Sequence, residues 1–143
     1  MSENYGLYSL FLPTVKKLLT LILSLVVAGL VGCSDENGAP PIPSQHWQEM
    51  DVRIETHPNP PVAGISEIVV IVTGPRGRPI HDLIISLRGN EGVPWVQTIQ
   101  DGYMGAYRRA VDIGNGDSAV LQVRLQRGDE QKVLLFPLKL ATS

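Results

Sequence analysis

The sequence predicts an all-β fold, an immunoglobulin-like antiparallel sandwich of about seven strands, preceded by a helical apolar leader and a proline-rich tether. Three observations carry this. From about His46 onward, apolar and polar residues alternate with a period of two, the spacing of a strand with one wet face. Gly-, Pro-, Asn- and Asp-rich breaks recur at short intervals between those runs. After the leader, no segment carries the three-to-four-residue spacing of an amphipathic helix.

The chain has 143 residues, with 12 Lys and Arg against 14 Asp and Glu. Leu18 to Val31 is apolar except for Thr20, Ser24 and Gly29; it follows Lys16-Lys17 and ends in Leu30-Val31-Gly32-Cys33. A basic pair, a short apolar stretch and a small-residue cleavage site are the three parts of a secretory signal. The run is shorter than the roughly 20 residues that span a hydrocarbon core, so a cleaved signal over residues 1–32 is expected rather than a permanent helix. Residues 1–14 are long and apolar for the basic region; a translation start at Val15 would leave a compact Val15-Lys16-Lys17.

Leu30 to Cys33 resembles the lipobox of bacterial lipoproteins. The resemblance implies cleavage between Gly32 and Cys33 and lipidation of the Cys33 thiol with diacylglycerol, palmitate being a typical acyl chain. Two or three chains on one residue anchor stably where a single chain holds only marginally. It also implies a cell-envelope address facing the periplasm. Ser34, where Asp would favour inner-membrane retention, points toward the outer membrane.

Removal of the leader leaves 10 basic against 13 acidic residues. That weak acidic balance argues against a nucleic-acid binder, which would show a basic face. Cys33 is the only cysteine, so the folded part has no disulfide framework, no CxxC redox pair and no multi-cysteine zinc site.

Cys33 to Gln45 begins with the anchor and continues as SDENGAPPIPS, polar and then proline-rich. It reads as an extended, flexible tether, because so little apolar surface cannot offset the entropy of ordering it. The sandwich is assigned to residues 46–143. Met50, Val52 and Ile54 alternate with Asp51, Arg53 and Glu55. Ile68 to Val72 is continuous and β-branched, as expected of a central strand covered on both faces. Strands over Ile80–Leu87, Trp95–Gln100 and Tyr103–Ile113 follow, separated by Gly89-Asn90-Glu91-Gly92 and Asp101-Gly102. Leu121, Val123 and Leu125 then share one face, as do Leu134, Phe136, Leu138 and Leu140.

Pro60-Pro61-Val62-Ala63-Gly64, the strand Glu67–Thr73, Gly77-Arg78-Pro79-Ile80 and Gly105-Ala106-Tyr107 together resemble the YtkA-like and FixH-like β-sandwich domains. The cover runs from about Met50 to Leu140. The resemblance implies a bacterial-envelope module, and its FixH-like members imply links to respiratory oxidase assembly and metal-cation handling. A lipidated cysteine stands here where FixH-like proteins use a spanning helix. Each shared motif also has a structural cause: Gly for unusual backbone angles, Pro to pre-set a turn, Tyr to fill a corner.

The one constellation with metal chemistry is His46, Met50, His57, His81 and Met104, since copper accepts mixed imidazole and thioether shells. Against it, Met50 shares an apolar face with Val52 and Ile54, His57 and His81 lie in or beside turns, and His46 adjoins the tether. No two of them stand at i, i+2 on one strand. Catalytic patterns are absent: Gly64-Ile65-Ser66-Glu67 lacks the second glycine of a nucleophile elbow, and there is no phosphate-binding glycine loop. Arg76 and Arg78 share a turn, Arg108 and Arg109 must face opposite sides of a strand, and Trp47 and Trp95 could contribute to a binding surface, core packing being the commoner fate of Trp95. The leading expectation is therefore a non-catalytic interaction or assembly module with a protein partner in the envelope. The rival is a copper-handling protein using His46, His57, His81 and Met104.

Overall fold

A computed structural model describes residues 40–141. Nine strands form two antiparallel sheets: β1 (Gln45–Trp47), β2 (Met50–His57), β3 (Ile65–Thr73), β4 (Ile84–Arg88), β5 (Val96–Gln97), β6 (Ile99–Asp101), β7 (Ala106–Asp112), β8 (Ser118–Arg127) and β9 (Glu130–Lys139). One sheet has the order β1-β2-β3-β7-β6 and the other β5-β4-β8-β9. Leaving aside the short β1, this is the ABED and C′CFG arrangement of an immunoglobulin-type sandwich. Among the described residues no helix is long and apolar enough to cross a membrane.

The alternation seen in the sequence becomes the core. Met50, Val52 and Ile54 from β2 meet Ile68, Val70 and Val72 from β3 and Tyr107 and Val111 from β7. Across the gap stand Ile85 and Leu87, Leu121, Val123 and Leu125, and Leu134, Phe136 and Leu138. Phe136 is fully buried, and burial of a side chain of this kind contributes about 1.5–3 kcal/mol. Val69, on the outer face of β3, is also buried, but Ile65 on that face is exposed and Glu67 and Ile71 are half-buried. The continuous apolar run is therefore covered fully on its inner face and only at Val69 on its outer one.

Two of the expected strands are divided by crossings between sheets. Trp95–Gln100 is one alternating run in sequence but two strands in space. The Thr98 N–H and Oγ both donate to the Ile85 carbonyl, at 2.9 and 3.0 Å. Below Thr98 the chain pairs with β4; above it, Ile99–Asp101 pairs with β7 in the other sheet. Period two survives such a crossing, so alternation alone does not reveal it. Likewise Pro79 and Ile80 close onto the end of β3, with a bridge from Thr73 to Pro79 and the Ile80 N–H donating to Val72 O at 3.1 Å. The strand of the second sheet begins only at Ile84. The division of Trp95–Gln100 into β5 and β6, together with β1, makes nine strands where seven are expected; the crossing at Ile80 shortens a strand without adding one.

The part of the proline-rich stretch within the described residues packs on the domain. Ile42 is half-buried against the core, and Pro40 to Pro43 lie beside Pro137, Leu138 and Lys139 of β9. Gln45 opens β1 and its Nε2 donates to the Leu135 carbonyl of β9 at 2.5 Å. The segment thus closes the seam between the β2 edge of one sheet and the β9 edge of the other. The leader, Gly32 and Cys33 lie outside the described residues.

Candidate interaction surface

The outward side chains of the four-stranded sheet form ordered rows. Pairing places Arg88, Gln122 and Leu135 in one row and Ser86, Arg124 and Val133 in the next, while Ile84 stands beside Gln126. Val96 opposite Leu87 sets Trp95 beside Arg88 on the outer face. There the indole collects both guanidiniums: Arg88 Cζ lies 4.6 Å and Arg124 Cζ 4.5 Å from the ring centroid. Such stacking is favourable because the ring's negative face meets a weakly hydrated, delocalised cation. Arg88 Nε also donates to Gln122 Oε1 at 2.9 Å, which fixes its plane. Ser86 is buried although it faces outward, so neighbouring side chains close over the sheet at that point.

Beside this basic and aromatic half lies an apolar one. Ile84, Val120, Val133 and Leu135 are all exposed, Leu135 by 53%. Val120 and Leu135 continue into a cleft of about 600 Å³ between the loops at Gly89-Asn90 and Gly114–Gly116. No outward position of β4, β5, β8 or β9 carries a carboxylate between Ile84 and Gln97 or between Ser118 and Arg127, and on β9 the outward residues are Gln131, Val133, Leu135, Pro137 and Lys139.

The outer face of the five-stranded sheet is built on the opposite rule. Arg53 meets Glu55 at 3.4 Å, and Arg108 meets Asp101 at 2.5 Å and Glu67 at 3.5 Å. His46 meets Asp51 at 2.9 Å and His57 meets Glu67 at 3.6 Å. Its basic side chains have carboxylate partners from the same face; Arg88 and Arg124 have none among the described residues.

The long outer edge of β9 is guarded. Leu135 directs its carbonyl away from β8, where Gln45 caps it. Pro137, two residues on and therefore facing the same edge, has no N–H to offer. A proline and a capping side chain are common means of keeping an edge from adding a stray strand.

The predicted metal ligands are dispersed. His46 on β1 sits beside Asp51 near one end of β2, and His57 closes the other end, about 20 Å away at the rise of a strand. His81 lies in the β3–β4 loop, its Nδ1 2.9 Å from Gln100 Nε2, and Met104 is exposed in the β6–β7 turn. Met50 is fully buried in the core. Among the described residues no group of three or more His, Cys, Asp or Glu is placed to hold a metal ion. Trp47 packs partly against the core, whereas Trp95 lies on the surface. Arg108 is the paired member of the adjacent arginines, and Arg109 is exposed.

Sequence reasoning did not single out Arg88 or Arg124. The available signal was parity: Arg88 follows the inward Leu87, and Arg124 separates the inward Val123 and Leu125. That both reach one indole depends on strand pairing, which parity does not contain.

The fold and this face define a β-sandwich of immunoglobulin type with an asymmetric pair of outer surfaces. Comparison of the chain with family models, with curated proteins and with solved structures finds no match.

Proposed function

We propose that this chain is a bacterial envelope lipoprotein, anchored by lipid on Cys33 and facing the periplasm, whose YtkA-like or FixH-like sandwich serves as a non-catalytic interaction or assembly module. The anchor reading rests on Lys16-Lys17, the apolar run and the Leu30–Cys33 motif. Ser34 after the cysteine favours the outer membrane. The observation that supports an interaction role is the outer face of the four-stranded sheet. Four exposed aliphatic side chains lie there beside an indole stacked with two cations that have no carboxylate partner among the described residues. A cluster of apolar groups next to a rigid aromatic anchor has the composition of a protein-binding centre.

The test is a photo-crosslinking residue placed at Leu135, or at Glu55 on the opposite face, in the full chain in its own cells. A discrete protein adduct is expected from Leu135, abolished by Trp95→Ala, and none from Glu55. Equal adducts from both positions, or none from either, would remove the reading.

A further inference from the structure

We infer that the ligand of the Arg88–Trp95–Arg124 face is an acidic polypeptide segment that also carries apolar side chains, an inference that rests on the interaction reading above. Charge complementarity is the first reason. The chain is acidic, at a formal −2, and the five-stranded face pairs its own cations. On the four-stranded face, Arg88 and Arg124 have no carboxylate partner among the described residues, and no outward strand position around them carries a carboxylate. Stacking on the indole uses the π-faces of the guanidiniums and leaves N–H donors at their rims, the geometry that accepts a carboxylate in a two-pronged pair. The bond from Nε of Arg88 to Gln122 holds that group in place before a ligand arrives, which lowers the entropy cost of binding.

The second reason is the apolar half of the face. Leu135 stands two strands from Arg88 in the same row, about 10 Å away at the usual strand spacing, and Val133 stands beside Arg124. A segment bearing both carboxylates and aliphatic or aromatic groups can satisfy the two halves together. An anionic polysaccharide has the charge but no side chains for Val120, Val133 and Leu135, and the indole that would stack on a sugar already carries two guanidiniums. The guarded β9 edge directs the ligand onto the face rather than into the sheet as an added strand.

The experiment uses the full chain in neutral detergent and a dye-labelled random copolymer of glutamate and tyrosine, with binding read by fluorescence anisotropy. Saturable binding is expected. The pair Arg88→Gln with Arg124→Gln should weaken it by about tenfold or more, since each charge-assisted contact contributes more than a neutral one. Leu135→Ser should weaken it as well. The pair Arg53→Gln with Arg108→Gln, on the other face, should leave affinity unchanged, and circular dichroism should confirm that all variants are folded. Absence of copolymer binding, or equal loss from the two arginine pairs, overturns the inference. So does equal or tighter competition by polygalacturonate or by phosphatidylglycerol vesicles, which would make the face a site for anionic polymer or lipid. If the copolymer fails while the Leu135 crosslink still forms in cells, the acidic ligand is wrong and the interaction module stands; if both fail, both fall.

Discussion

The phenolic hydroxyl of Tyr107 donates to the backbone carbonyl of Ile80 at 2.9 Å, from a side chain that is 2% exposed. Tyr107 belongs to β7 of the five-stranded sheet, and Ile80 lies where the chain leaves that sheet for β4. One bond therefore pins the crossing between the two layers. The tyrosine of Gly105-Ala106-Tyr107 does fill a corner of the sandwich, and its hydroxyl satisfies a carbonyl that no strand partner reaches.

Tyr107→Phe is expected to cost about 1–2 kcal/mol, the net worth of a hydrogen bond whose loss leaves a carbonyl short of a partner. Denaturant unfolding measures it. Burial also pushes the Tyr107 hydroxyl above its ordinary value of 10.0. A raised folded-state value means that the unfolded chain releases its proton first, so this contribution is complete below about pH 10 and is lost as pH rises through the folded-state value. Tyr107→Phe should flatten that alkaline decline; an unchanged alkaline limb would show that another group is responsible.

Arg127, at the end of β8, joins Glu49 of the β1–β2 turn at 2.9 Å and Asp82 of the β3–β4 loop at 2.8 Å. Glu49 is held below 4.5 by its own backbone amide and then by Arg127, and Asp82 is held below 3.8 chiefly by its hydrogen bond from Arg127. Depressed carboxylates contribute stability above their unfolded values and lose it as pH falls through the folded ones. Arg127→Gln should therefore shrink the stability lost on acidification below about pH 4.5, while leaving the slope near neutrality unchanged. The pH dependence of the urea midpoint reads this directly, and salt should reduce the effect because all three groups are near the surface.

Gly89 follows β4 and lies against the end of β7. A Cβ there would stand 2.0 Å from the Asp112 carbonyl oxygen and 2.5 Å from Ile113 Cα, both backbone atoms. Gly89→Ala is expected to destabilise by about 3 kcal/mol or more, as overpacking against main chain does. Gly128, in the β8–β9 hairpin, has open space around it but a φ of +58°, so Gly128→Ala should cost only the backbone strain, about 1 kcal/mol. Thermal melts that rank the two variants the other way would show that the β4–β7 approach is looser than this.

Cys33 is the residue on which the address depends. Growth with labelled palmitate should mark the wild-type chain, and Cys33→Ser should remove the label and leave the leader uncleaved. Labelling that persists in Cys33→Ser would end the lipoprotein proposal, because there is no second thiol to carry it.

The β class, the turns and most of the core were legible in the order of residues along the chain. Met50 to Ile54 and Leu121 to Leu125 could be assigned to inner and outer faces because a strand's side chains alternate with a fixed period, and that period is a local property; the continuous run Ile68 to Val72 marked a central strand without telling its faces apart. Where the chain changes sheets, at Thr98 and between Ile80 and Ile84, emerges only in the folded molecule, since alternation continues unbroken through such a crossing. The fold also set the fate of Trp95. Its neighbours in sequence are Pro94 and Val96, but its neighbours in space are Arg88 and Arg124, on strands whose pairing register is set by packing across the whole sandwich. A core is written in patterns along the chain. A surface assembled from three strands is not, because its members become neighbours only once the ladders have formed.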